Sequence, residues 1–348
     1  MRDDFDKATK EALAARAGHR CSFPGCTNVT HGPSDESERS VSSTGMACHI
    51  SAASAGSGAR RYDSSMSAEQ RRSIDNGLWL CYTHGKLIDT DETRYSISTL
   101  KKWKGIAERK AQLRQAYGDK YNISPDTLRE IGLPDESLTI SGMGEENHLV
   151  GSLVQDSRVD ELWGSEVAHA IRDLSIELVR NAFQHGGATQ FQIVVRGTSI
   201  ELCDDGADYN LWNLCKEPGI SGGIIAAKHI IDCLIFRLLV VSDRFNNRNR
   251  TVLSIVDDTS EVHELTACSI DIDWSHLKHR ELPYELHELC RSKCVVLPPY
   301  ITISDSVILR DMIPIDDGKP IIFILTETSP KAQEILESKF PGCLTIRL

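Results

Sequence analysis

Two pairs of soft metal ligands frame the N-terminal part of the chain. Four residues separate Cys21 from Cys26, and two separate Cys81 from His84. Three thiolates and one imidazole are the four donors of a closed tetrahedral site, and Zn2+ is the ion such a set holds. Pro24-Gly25 forces the turn that brings Cys21 and Cys26 together. Between the pairs lies a histidine belonging to neither, His49. Its imidazole titrates near neutrality and suits a general base. Hydrolysis of a phosphodiester needs such a base, a divalent cation on the phosphate and a group that orients the base. Asn76 is expected to fix the His49 ring by accepting from its N–H. Asp89, on the helix expected after His84, offers a hard oxygen to a catalytic Mg2+ or Mn2+ that His49 is expected to share.

A second set of chemistry-bearing residues lies further on. Glu177, Asn181 and His185 recur every four residues and fall on one helix face beside an apolar stripe. An Asn carbonyl can ligate Mg2+ and a Glu can polarise a water. Asp204, in Asp204-Asp205-Gly206, ends a strand with a carboxylate able to accept from an adenine amino group. Gly219, Gly222 and Gly223 form a Gly-rich loop entering a helix, whose free N–H groups can face phosphates.

These residues need elements to position them. Helices are expected over 3–17, from Ser67 (N-cap, with Gln70 as its capping-box partner), and from Tyr95 to about Ala116. Leu78-Trp79-Leu80 reads as a short buried strand. Gly, Pro and acidic residues over 117–147 mark a linker. Val167, Ile171, Leu174, Leu178 and Phe183 predict a helix over 164–186. Strands are expected over 190–196, 199–203, 234–241, 251–256, 320–325 and 343–348, with Asn246-Asn247-Arg248-Asn249 in a turn and a helix capped at Ser329.

The chain has 348 residues and a net charge of −11. Residues 1–115 carry 18 Lys+Arg against 14 Asp+Glu, so the acidic excess falls on residues 116–348. The first part can meet a phosphate backbone, which the remainder would repel. No apolar run reaches the ~18–20 residues of a membrane span, and the acidic start is unlike a secretion signal. A cytoplasmic protein without a membrane partner is expected. An odd count of 11 cysteines in a long chain argues against a disulfide framework. Cys203, Cys215, Cys233 and Cys268 are expected as buried thiols.

The stretch from Arg16 to Lys110 resembles the HNH (His-Me finger) endonucleases, particularly the bacterial group fused to defence-associated sensors. The resemblance rests on Cys-Ser-Phe-Pro-Gly-Cys, Cys-His-Ile, Gly-Ala-Arg-Arg-Tyr-Asp, Asn-Gly-Leu-Trp-Leu-Cys-Tyr-Thr-His-Gly-Lys-Leu-Ile-Asp-Thr-Asp and Leu-Lys-Lys-Trp-Lys. It implies a ββα-metal site and metal-dependent cleavage of DNA, with His49 as the family His and Asn76 as the family Asn. The chain departs from the family at Cys48, where many relatives have Asp, and at Gly85, where many have a second His. Asp89, four residues on, is expected to take over metal binding.

Residues 160–260 are similar to the ATP-binding domain of the GHKL superfamily. Glu177 and Asn181 match its N box, Asp204 and Gly206 its first Gly box, and Gly219, Gly222 and Gly223 its second; Asp208 stands where a Gly is common. The resemblance implies a helix layer on a mixed sheet, holding ATP with Mg2+. Residues 271–348 match no pattern.

The expectation is therefore an α+β chain. An HNH domain (1–116) with structural zinc precedes a linker (117–147), a GHKL α/β sandwich (148–270) and an α/β extension (271–348). Its expected function is DNA cleavage governed by ATP, in anti-phage defence, with a homo-oligomer or a partner defence protein as its assembly. The alternative is a nucleotide-sensing ATPase or adaptor whose zinc domain binds DNA or a protein without cutting.

Overall fold

Asp6 Oδ1 accepts from the Thr9 N–H at 2.7 Å, so the first helix, α1 (Lys7–Arg16), starts there and not at residue 3. In this computed structural model, residues 2–216, 219–284, 289–315 and 319–348 are described. They form a mixed α+β structure that divides into two units, one of residues 1–136 with 155–162, the other of 137–154 with 163–348. No described helix is long and apolar enough to cross a membrane.

In the first unit, α1 is followed by an exposed hairpin of β1 (His31–Pro33) and β2 (Val41–Ser43). Strand β3 (Gly45–His49) then pairs antiparallel with β4 (Gly77–Cys81), which sets His49 opposite Gly77 and Cys48 opposite Leu78. Between them, Ser67 and Gln70 form the expected capping box of α2 (Ala68–Arg72). All five residues of β4 are buried. Side chains alternate across a strand, so Leu78 and Leu80 pack with Ile50, Ile88, Leu100 and Trp103, while Trp79 packs with Phe5, Leu13 and Ala14 on the other face. Helices α3 (Tyr82–Leu87) and α4 (Ile97–Tyr117) follow, α4 capped by Ser96 Oγ accepting from Thr99 N–H at 3.1 Å.

Further along come β5 (Leu133–Ile140), α5 (Glu146–Asp156), α6 (Val159–Leu162), α7 (Ser165–Gln184), β6 (Phe191–Gly197), β7 (Ser199–Asp204), α8 (Leu211–Lys216), α9 (Gly222–Asp232), β8 (Leu238–Phe245) and β9 (Arg248–Ile255). The strands form one sheet in the order β5-β6-β7-β9-β8. A mixed sheet was the expectation; the pairs β6–β7, β7–β9 and β9–β8 are antiparallel. The stretch 117–147, expected as a linker, contributes β5, in which Leu133 and Ile140 are buried and Pro134 sits where an edge strand tolerates it. The strand expected over 234–241 starts only at Leu238. Residues Cys233–Phe236 form a 3-10 turn that ends at Arg237, with φ +62°. The turn Asn246-Asn247 has both residues at positive φ, which Asn tolerates.

The C-terminal residues form their own sheet. Elements α10 (Thr259–Leu265), β10 (Ser269–Asp271), α11 (Trp274–His279), β11 (Lys293–Val296), α12 (Ile303–Met312), β12 (Ile321–Leu325), α13 (Pro330–Lys339) and β13 (Leu344–Arg347) follow in order. Their four strands are parallel and ordered β10-β11-β12-β13. All five residues of β12 are buried, as expected of a parallel strand covered on both faces. The reading of Cys268 as a free thiol is corrected: it forms a disulfide with Cys290. Cys290 is bridged to Asp243 of β8 and Cys268 immediately precedes β10, so long-range strand placement brings together two cysteines 22 residues apart. Cys203 and Cys215 are half-buried and Cys233 fully buried.

Candidate functional site

The Cys21–Cys26 turn and the start of α3 meet. The donor atoms of Cys21, Cys26, Cys81 and His84 all lie within 4.8 Å of one another. His84 Nδ1 is 3.5 Å from Cys21 Sγ and 3.2 Å from Cys81 Sγ. Metal bonds of about 2.3 Å to sulfur and about 2.0 Å to nitrogen in a tetrahedron require donor spacings of this size. Phe23 stacks flat on the His84 ring at 3.8 Å between centroids and fixes its plane. Burial holds the His84 imidazole below its ordinary pKa, which favours the neutral form that can ligate. The cluster can hold a metal ion such as zinc. Among the described residues no other three His, Cys, Asp or Glu donors gather in this way.

His49 ends β3 and lines a cleft of about 500 Å3 together with Cys48, Arg60, Arg61 and Asp89. Its Nε2 lies 3.1 Å from the carbonyl oxygen of Asp3. Burial, with the nearby Arg2 charge, lowers its pKa against the opposing pull of the Asp3 carbonyl, Asp4 and Asp89. With Nε2 committed, one ring nitrogen is left, so His49 can act as base or as metal ligand but not as both at once.

Two expected placements are corrected. Asn76 makes no hydrogen bond to the His49 ring. Its Nδ2 donates to the carbonyls of Ser51 (2.9 Å) and Arg71 (3.0 Å), and its Oδ1 accepts from Ser51 N–H (2.8 Å). Buried in a loop crossing, the amide is consumed by backbone groups that would otherwise be unpaired. Asp89 lies beyond α3, which stops at Leu87, so it reaches the cleft from a turn. Arg61 holds it there. The guanidinium is almost fully buried and donates to Ile50 O (2.8 Å), Ile88 O (2.7 Å) and Asp89 Oδ1 (3.0 Å). One side chain thus ties the residue after His49 to the candidate cation ligand.

In the second unit, α7 carries Glu177 and Asn181 against the start of α9. A Cβ at Gly222 would sit 3.3 Å from Glu177 Oε1, and one at Gly223 would sit 2.8 Å from Leu214 and 3.5 Å from Glu177 Oε2. Glycine is what allows this approach. Asp204 and Gly206 lie just past the C-terminal end of α7: Gly206 N–H and Asn249 Nδ2 each donate to Asp204 Oδ1 at 2.9 Å, and Ala207 N–H donates to Gly186 O. A cleft of about 600 Å3 is lined by Asn147, Glu177, Arg180, Gly222 and His229 among others, and not by Asp204 or Gly206. Gly219 lies before α9 at φ +107° with open space around it, and His185 is the C-cap of α7. Asp208, which stands where the GHKL pattern commonly has Gly, pairs with Arg291.

Two arginines without a role in the expected sites, Arg180 and Arg61, hold these side chains in place. Arg180 donates to Glu177 Oε1 at 2.8 Å, to Glu146 Oε1 at 3.3 Å and to Asn147 Oδ1 at 3.0 Å. Its i,i+3 spacing from Glu177 was the available signal. Arg61 stands in the Gly-Ala-Arg-Arg-Tyr-Asp motif, to which no role was attached. Compared with protein-family models, curated proteins and solved structures, the chain finds no match.

Proposed function

We propose that the chain is a metal-dependent DNA endonuclease of the HNH kind, governed by ATP bound in its GHKL-like part. The observation that carries this reading is the β3–β4–α3 unit, which brings His49 and Asp89 to one cleft beside a Cys3His cluster. We assign Zn2+ to that cluster from its thiolate-rich donor set. Mg2+ or Mn2+, when bound, would stabilise charge developing on the phosphate. Asp89 would hold it, oriented by Arg61. His49 Nδ1 would take the proton of the attacking water as the new P–O bond forms and an ester P–O bond breaks. Glu177 and Asn181 would face ATP-Mg2+, with Gly222 and Gly223 next to them. The setting that fits the combination is cytoplasmic anti-phage defence, as a homo-oligomer or with a partner defence protein.

Plasmid cleavage with Mg2+ or Mn2+, crossed with ATP, ADP and no nucleotide, tests the reading on wild type and His49→Ala. Cleavage that depends on His49 and changes with nucleotide is expected; no cleavage under any condition sinks it. A second reading is a nucleotide-sensing ATPase or adaptor whose zinc domain only binds DNA or a partner. It is favoured by Gly85, whose place beside Cys48 leaves no room for a second histidine. ATP turnover lost in Glu177→Ala, with no cleavage, is its signature.

A further inference from the structure

The residues before α1 lie against His49. Asp3 N–H donates to Ala53 O at 3.0 Å, and Arg71 Nε donates to Asp3 Oδ2 at 2.9 Å, with both side chains mostly buried. The Phe5 ring stacks on the imidazole at 3.9 Å between centroids and 7° between planes. Phe5 is itself held in the cluster of Leu13, Ala14, Ala17 and Trp79. The Asp3 carbonyl offers only lone pairs, so the 3.1 Å contact requires the hydrogen on Nε2 and leaves Nδ1 free in the neutral ring. The mooring continues: the Arg71 carbonyl accepts from Asn76 Nδ2, and Asn76 Oδ1 accepts from the N–H of Ser51, two residues past His49.

We propose that residues 2–6 are a positioning strap for His49: the Phe5 ring sets the plane of the imidazole and the Asp3 carbonyl sets its tautomer, with Arg71 as the mooring. This rests on the reading of His49 as the base of a nuclease. A hydrogen-bond partner that fixes a histidine tautomer decides which nitrogen can take a proton. The strap gives Asn76 a role through Arg71 and Ser51 in place of direct contact with the ring.

The test uses the full chain labelled with 15N at histidine, with the His49 signals assigned by their loss in His49→Ala. At one pH above the ordinary imidazole range, the wild type is expected to show the Nε2–H tautomer. Phe5→Leu keeps apolar volume but no flat ring, and Arg71→Ala lies outside the apolar cluster; both are expected to average the two tautomers. Phe5→Tyr and Arg71→Lys are expected to restore the wild-type pattern. An unchanged far-ultraviolet circular dichroism spectrum and a cooperative thermal transition establish that each variant is folded. In cleavage, Phe5→Leu and Arg71→Ala are expected to lower kcat by about tenfold or more, with KM for DNA within about twofold, as misplacement of a reacting group does. A tautomer unchanged in both folded variants overturns the strap, whatever the cleavage. The expected tautomer shifts in a chain that never cuts DNA support the strap and retire the nuclease reading.

Discussion

Gly85 and Cys48 share one small volume: a Cβ at position 85 would lie 2.9 Å from Cys48 Sγ and 2.6 Å from Met46 Sδ. The first turn of α3 therefore touches β3 almost backbone to side chain. Burial, with Asp89 nearby, pushes the Cys48 thiol up to about 12, so it packs as a neutral group. Gly85→Ala is expected to destabilise the chain by about 1–3 kcal/mol, the usual cost of overpacking. Pairing it with Cys48→Ala should recover much of that loss, since both changes act on the same space. Urea unfolding of the two single variants and the double variant measures the coupling; strictly additive losses would overturn it.

The cysteine cluster makes a separate prediction. The donor atoms come from two short segments, the Cys21–Cys26 turn and the step from the end of β4 into α3. Binding energy at such a site is folding energy. Purified chain is expected to carry about one zinc per molecule. Cys81→Ala should lose the metal and bring the first unit to a lower melting temperature. A metal content unchanged in Cys81→Ala and His84→Ala would show the ion sits elsewhere.

Arg61 can be tested without any assay of function. Its guanidinium satisfies the carbonyls of Ile50 and Ile88 as well as Asp89. Removing the donor leaves each carbonyl at a cost of about 1–3 kcal/mol. Arg61→Ala is therefore expected to destabilise by about 2–5 kcal/mol. Arg61→Lys should recover only part, because one ammonium cannot span three acceptors as a planar fork does. Equal stability of Arg61→Lys and wild type, measured by chemical denaturation, would count against the clamp.

Local signals in the sequence foretold local structure well. Ser67 with Gln70 and Ser329 cap helices, because a cap is decided within four residues. The four metal ligands were legible because close pairing on turns is itself a local pattern. What escaped is long-range. Arg61 reaches Asp89 across 28 residues, Asp3 reaches His49 across 46, and the Cys268–Cys290 pairing depends on where two strands lie. None leaves a periodicity or spacing to read. The end of α3 at Leu87 was missed for a related reason. The buried side chain of Ile88 packs in the core while the chain turns, and no Gly or Pro marks the stop.

Asp204 ties stability to pH. Burial raises its carboxyl above the ordinary value, against the lowering effect of the Gly206 N–H and the Asn249 amide. The folded chain thus keeps this proton to higher pH than the unfolded chain. Its contribution to stability is fully present below the unfolded value of 3.8 and is lost as pH rises through the raised folded value. Asp204→Asn keeps an acceptor oxygen for both donors and has no charge to desolvate. Its melting temperature relative to wild type is expected to climb from about pH 4 upward and then level off. If the carboxylate also accepts from a bound adenine, the same variant should bind ATP about tenfold more weakly. Calorimetry across pH and a nucleotide titration separate the two effects. A constant difference in melting temperature at all pH values would mean that the buried charge does not govern this end of α7, and unaltered ATP binding would place the adenine elsewhere.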